Sequence, residues 1–386
     1  PLADNEIIND YPNTVPLING VKLSGRTNDG LGIGFANAIT AKTSAEVTNT
    51  DTNETSSIVI EPVTNYNVLV LDQRLRKNSS ISFVNTNVTR DGLFRDANVT
   101  ALVFDLNTKE NTFALEGDYK YSFVNEYGNE ENKQGYNTFL NFAKTSQKFR
   151  FGLGAKYVSQ DYDPNDLGIN FQTHYHAYNG NISFRTLEPT KVFNNINSTI
   201  SYYSEFDNIT SKIQANSLSA NINFTTVQND SFNFYLNTRP TEIYNFYDPR
   251  SIDDSKYFIE PKFIGGQFVF SSNYNRKFAI DAIPSYRKYD QENRERYGVL
   301  ISPKYRFNNH LSSTLDFDYL RQNNNLGWID FNDDGDAIFA RRNVISYVNS
   351  ISGKYAFNNK INVNLAVRYY WSYTTNFQYY TLQDDG

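Results

Sequence analysis

The segment Asp330-Phe331-Asn332-Asp333-Asp334-Gly335-Asp336 sets side-chain oxygens at alternate positions, Asp330, Asn332, Asp334 and Asp336, with glycine sixth. Calcium takes oxygen ligands in this spacing, and glycine allows the sharp turn between them. The twelfth position, where a calcium loop closes with Glu, is Arg341. The segment reads either as a half-loop that clamps calcium or as a solvated acidic loop. His174 and His176 stand two apart, so on a strand they share a face and can hold a divalent metal if a third ligand joins them. The carboxylate pairs Glu116/Asp118 and Asp316/Asp318 share faces in the same way, as general acid/base chemistry requires. A wet channel lining has the same composition. Arg150, Lys156, Arg287 and Arg368 fall on polar strand faces, where they attract anionic solutes or pair with those acids. Gly30, Gly32 and Gly34 lack the strand-to-helix context of a phosphate loop, because Ile33, Phe35, Asn37 and Ile39 continue a strand pattern. No residue is assigned a catalytic role.

The elements that must position these groups are strands. Ile361, Val363, Leu365, Val367, Tyr369 and Trp371 alternate with Asn362, Asn364, Ala366, Arg368 and Ser372. Successive strand side chains point to opposite sides, so this segment has one oily and one wet face. Four more runs behave alike, around Phe113–Phe123, Phe149–Tyr157, Phe278–Tyr286 and Leu311–Tyr319. The 29 Tyr and 29 Phe, with only 39% hydrophobic residues and a mean hydropathy of -0.58, exclude a bundle of membrane-spanning helices, which needs long unbroken apolar runs. So many aromatics also argue against disorder. A net charge of -6 gives nucleic acid no basic field to follow, and the absence of Cys excludes disulfides and thiolate metal sites.

Nine tight polar turns are expected, at Asn28-Asp29-Gly30, Lys77-Asn78-Ser79, Asn107-Thr108-Lys109, Thr145-Ser146-Gln147, Asn194-Asn195, Gln228-Asn229-Asp230, Asn275-Arg276-Lys277, Asn308-Asn309 and Asn358-Asn359. Longer connections are expected at Asn125–Gln134, Gln160–Asp166, Arg239–Lys256, Asp290–Arg296 and Gln322–Asp336. Nine turns give about eighteen antiparallel strands, and short turns alternating with long loops are the signature of a transmembrane barrel. Closure is required in lipid, where an unpaired amide costs several kcal/mol. The expected fold is therefore an all-β, large antiparallel outer-membrane β-barrel, oily face outward. Lys304-Tyr305-Arg306-Phe307-Asn308-Asn309 and Lys354-Tyr355-Ala356-Phe357-Asn358-Asn359 match each other, with Val192-Phe193-Asn194-Asn195 joining in part. Because the match does not extend through whole units, it reads as shared hairpin chemistry rather than a blade repeat.

Taken together, Leu23-Ser24-Gly25-Arg26-Thr27, Gly30-Leu31-Gly32-Ile33-Gly34, Thr64-Asn65-Tyr66-Asn67-Val68, Thr86-Asn87-Val88-Thr89-Arg90, Asp166-Leu167-Gly168-Ile169-Asn170 and Trp328–Phe339 followed by Ala340-Arg341-Arg342 resemble the barrel region of a Bacteroidetes outer-membrane family of unknown function. The resemblance implies a periplasmic domain similar to carbohydrate-binding module family 9 before Pro1, a few strands after Gly386, and residues 1–386 as barrel. It leads to the expectation of a carbohydrate-associated surface or transport protein of the Gram-negative outer membrane, with the barrel as anchor or conduit. The expected partners are outer-membrane lipids, glycans, and other outer-membrane proteins or lipoproteins, but not nucleic acid. Two other readings stand beside it: an accessory subunit of an outer-membrane assembly or secretion complex, and a membrane-embedded hydrolase using the paired carboxylates.

Overall fold

A computed structural model describes residues 5–128, 131–168, 172–250 and 256–386. Among these, twenty-three strands and no helix are found. Eighteen of the strands belong to one large antiparallel sheet, the number expected from the turns. No helix is long and apolar enough to cross a membrane, which says nothing of crossing by strands. The chain divides into two compact units.

The first unit holds β1 (Glu6–Asp10), β2 (Leu17–Arg26), β3 (Leu31–Thr40), β4 (Thr43–Asn49), β5 (Thr55–Glu61), β6 (Thr64–Leu75), β7 (Ser79–Arg90), β8 (Asp96–Asn107), β9 (Phe113–Asn125) and β10 (Lys133–Lys144). Strands β2, β3, β6, β7, β8, β9 and β10 pair in that order. The β4–β5 hairpin leaves this meander and pairs with β1 in a small separate sheet. Two further strands, β11 (Phe149–Val158) and β12 (Tyr175–Arg185), each contribute residues to both units.

The second unit holds β13 (Phe193–Asp207), β14 (Ile213–Thr226), β15 (Ser231–Arg239), β16 (Ile243–Asn245), β17 (Phe258–Glu260), β18 (Phe263–Ser271), β19 (Phe278–Tyr289), β20 (Glu295–Arg306), β21 (Leu311–Phe331), β22 (Ala337–Ala356) and β23 (Asn362–Thr381). Its meander runs β13, β14, β15, β18, β19, β20, β21, β22, β23. The β16–β17 pair stands apart.

Eight of the nine expected turns join consecutive strands of the large sheet. The exception is Asn194-Asn195, which opens β13, while the chain reverses between β12 and β13 over 186–192. Pro189, with its fixed φ, lies in that connection, and Asn194 instead ties β13 to the next turn by donating to Thr226 O and Asn229 Oδ1, each at 2.9 Å. Gln322–Asp336, expected as a loop, is mostly strand. There β21 runs on to Phe331, and the extra residues are absorbed by register shifts, one of them at Asn324 with φ +49°. Ile169 and Asn170 of the family-like motif lie outside the described residues.

The two faces differ as the alternation requires, but exposure is inverted relative to a water-soluble core. On β20–β23 the apolar face carries Ile301, Phe317, Ile351, Val367 and Leu365, exposed by 40–69%. On the opposite face Asp316 accepts hydrogen bonds from Ser302 and, at 2.6 Å, from Ser350.

Candidate functional site

At one end of the first unit the polar face is covered. Positions 159–166, which follow β11, cross the polar side of β9 and β10. Asp163 N donates to Ser122 Oγ at 3.0 Å, and Tyr136 N donates to Ser159 Oγ at 2.8 Å. The strap lies so close to Gly135 that a Cβ there would sit 2.1 Å from Tyr162 N. Beneath it the row Val88, Ala97, Val124 crosses β7, β8 and β9 in register, and all three, like Tyr162, are buried. Small apolar residues in place of polar ones make a seat into which the strap packs. Burial, followed by the charge of Asp118, pushes the Tyr162 phenol up to about 12.

Charges fasten the strap. Arg95 reaches Glu126 and Asp163 at 2.8 Å and Asp166 at 2.9 Å. Arg90 holds Asp166 at 2.9 Å and approaches Glu61 at 3.9 Å, while Lys133 holds Glu126 at 3.1 Å. One guanidinium bound by three carboxylates is a forked, charge-assisted arrangement. Burial pushes the Asp163 carboxyl up, but the Arg95 hydrogen bond, the Asn165 amide and the Arg95 charge outweigh it and hold the group below the usual carboxylate range. Sequence reasoning missed this cluster because its members come from four separate connections and the strand ends beside them. The legible sign was Val88, Ala97 and Val124 at positions where alternation calls for polar residues.

In the second unit, Phe258, Ala337, Phe339 and Leu382 form a buried cluster against which Leu326 and Trp328 pack. Arg250 lies 4.0 Å over the Trp328 ring. Beside it is the expected calcium segment. Asp330 is in β21 and accepts from Phe331 N at 2.9 Å. Asn332 Oδ1 accepts from Asp334 N (3.1 Å) and Asp336 N (2.6 Å), closing a turn with Gly335 at φ +83°. Asp336 takes the Lys256 ammonium at 2.6 Å, and that hydrogen bond above all holds its carboxyl low.

The other expected groups are placed as follows. His174 has φ +49° and precedes β12, so it does not share a strand face with His176. Period-two reasoning holds only within a strand. No group of three or more His, Cys, Asp or Glu arranged for a metal occurs among the described residues. Asp118 is paired with Lys120 at 2.7 Å and Glu116 accepts from Asn141 at 2.8 Å. Together with the serine-bound Asp316, these acids serve as polar-face partners.

Two aromatic rows cross the apolar face of the second unit. Tyr297, Tyr319, Tyr347, Trp371 and Tyr373 follow one another at ring separations of 5.1–6.4 Å. Nearer the short turns, Tyr305 meets Phe307 edge-on at 4.8 Å and Tyr355 meets Phe357 at 4.7 Å. From Tyr347 to Tyr355 the rows are about 27 Å apart along the strand, or about 21 Å after a barrel-like tilt. The first unit has its own row, Tyr119, Tyr136 and Tyr157, at 6.3 and 5.4 Å.

These features define a large antiparallel β-sheet protein with one exposed aromatic-banded face and one polar face. The chain belongs to the family described as Domain of unknown function (DUF5916), which it matches over residues 1–386. No curated protein matches it.

Proposed function

We propose that the sheet closes into an outer-membrane β-barrel with its apolar face toward lipid, and that the protein is a carbohydrate-associated surface or transport protein using the barrel as anchor or conduit. The observation that carries the membrane reading is the exposed apolar band of Ile301, Phe317, Ile351, Leu365 and Val367 between two rows of Tyr, Trp and Phe. A protein at home in water rarely leaves so continuous an apolar face uncovered. Interfacial Tyr and Trp flanking a band roughly 25 Å tall are what lipid selects. The carbohydrate link, the Bacteroidetes source and the preceding glycan-binding-like domain rest on the family resemblance alone.

The test compares two arginines on neighbouring positions of β22. With the protein in vesicles, Ile351→Arg should lower unfolding stability by about 2–4 kcal/mol, the cost of a cation near the bilayer midplane, while Ser352→Arg on the polar face should cost little. Equal, small effects together with solubility in buffer without detergent would reject the membrane reading. Calcium at Asp330, Asn332, Asp334 and Asp336 is a separate proposal. Lys256 competes for Asp336, so Lys256→Ala should tighten calcium binding, read as increased hydrogen-exchange protection of 330–336.

A further inference from the structure

We propose that a cleft on the polar face of the second unit, centred on Arg287 and Arg296, binds an oxyanion, either free phosphate or the carboxylate of an acidic sugar. One register row runs Asn237, Gly265, Arg287, Arg296 across β15, β18, β19 and β20. Arg287 and Arg296 are thus direct cross-strand partners of like charge, an arrangement that destabilises a sheet unless something neutralises it. Two other polar-face cations are each held by an acid: Lys304 by Asp281 at 2.7 Å and Lys120 by Asp118 at 2.7 Å. Arg287 and Arg296 have no carboxylate within ion-pair distance among the described residues. Glu295 adjoins Arg296 along the chain but points to the other face, where Tyr286 donates to it at 3.0 Å.

The cleft is shaped as well as charged. Its volume is about 130 Å³, and Asn237, Gln267 and Ser285 line it with the two arginines. That volume is well above what a single water needs and leaves room for a phosphate or carboxylate group. Gly265 makes the room, since a Cβ there would stand 3.0 Å from Arg287 Cβ. Phe263 holds the Arg287 guanidinium 4.2 Å over its ring, on which Arg239 also lies at 5.1 Å. Arg239 is neutralised by Glu260 at 2.5 Å, leaving Arg287 and Arg296 to meet a ligand. Planar guanidinium forks match the oxygen pairs of phosphate and carboxylate, and amide and hydroxyl groups on the rim complete the donor set. The site needs only the polar face, so it can fail while the membrane reading stands, and the reverse.

The experiment is a thermal-shift and calorimetric titration of the detergent-solubilised full chain with inorganic phosphate, glucuronate and, as an uncharged control, glucose. Saturable stabilisation is expected with phosphate or glucuronate and none with glucose, as a ligand of the folded state requires. Binding of phosphate alone would assign free phosphate; tighter glucuronate binding would assign the sugar acid. Arg287→Gln and Arg296→Gln should each weaken binding by about tenfold or more. Arg296→Glu, which supplies an internal partner for Arg287, should abolish the response while leaving the ligand-free protein at least as stable. Absence of a saturable response to either anion, or a response that persists in the Arg287→Gln/Arg296→Gln protein, would overturn the proposal.

Discussion

Arg95 shows how one side chain can hold a segment with no secondary structure of its own. Its guanidinium meets Glu126, Asp163 and Asp166 together, and the strap they pin has little else but Tyr162 to bury. The folded-state pKa of Asp163 lies below its unfolded value, so its contribution is present above about pH 4 and is lost as pH falls through the depressed folded value. Protection factors of residues 161–166, which is exchange corrected for its intrinsic slowing in acid, should therefore fall on acidification through that range, and Asp163→Asn should flatten the dependence. Gly135 is the second control point at this scale. Gly135→Ala places a methyl into the strap backbone and should cost roughly 1–3 kcal/mol as an overpacking change. Limited proteolysis should then cut within 159–166; an unchanged digestion pattern would mean that the strap is held from elsewhere. The ion pairs were not legible in the sequence, because partners as distant in the chain as Arg95 and Asp166 carry no periodic signal; only the apolar seat of Val88, Ala97 and Val124 left a mark there.

The strands and turns were the most legible elements. Turn residues announce themselves by local chemistry, and the matched pairs around Asn308 and Asn358 adopt one geometry. Asn308 Oδ1 accepts from His310 N at 2.8 Å and Leu311 N at 2.9 Å, and Asn358 Oδ1 accepts from Lys360 N at 2.8 Å and Ile361 N at 3.0 Å. The aromatic pair before each turn repeats as well, with interplanar angles of 76° and 75°. Asn308→Ala and Asn358→Ala should each destabilise their hairpin by about 1 kcal/mol through lost side-chain acceptors, measurable by denaturant unfolding in detergent. Two element-level expectations were wrong for related reasons. Asn194-Asn195 has turn composition but bonds across to the neighbouring turn, and Gln322–Phe331 has loop composition but pairs with β22. In both, long-range partners override local preference.

Across the first unit, strand direction constrains topology. Leu17 opens β2 opposite Thr40, and Arg26 closes it opposite Gly32 beside the short Asn28-Asp29-Gly30 turn. The start of β2 thus lies at the same end as the connections 41–63 and 91–95. The chain lacks Cys, so labelling is clean. Under the membrane reading, Asn13→Cys and Leu93→Cys should react from one side of the membrane and Lys109→Cys from the other; labelling of all three from one side would contradict a spanning sheet. A periplasmic domain before Pro1 would accordingly put these longer connections in the periplasm, the reverse of the usual outer-membrane pattern. If the sheet closes into a barrel that conducts, Arg95→Ala should raise single-channel conductance in planar bilayers by freeing the strap. Alternation of apolar and polar residues, a property of each strand alone, was enough for the sequence to determine the all-β class and the two unlike faces, and the local chemistry of the polar turns gave about eighteen strands for the large sheet. Only the tertiary structure decided that Arg90, Arg95, Asp163 and Asp166 meet, that Lys256 occupies Asp336, and that Arg287 faces Arg296. Each of these depends on which strands are neighbours and on their register, and no local pattern encodes either.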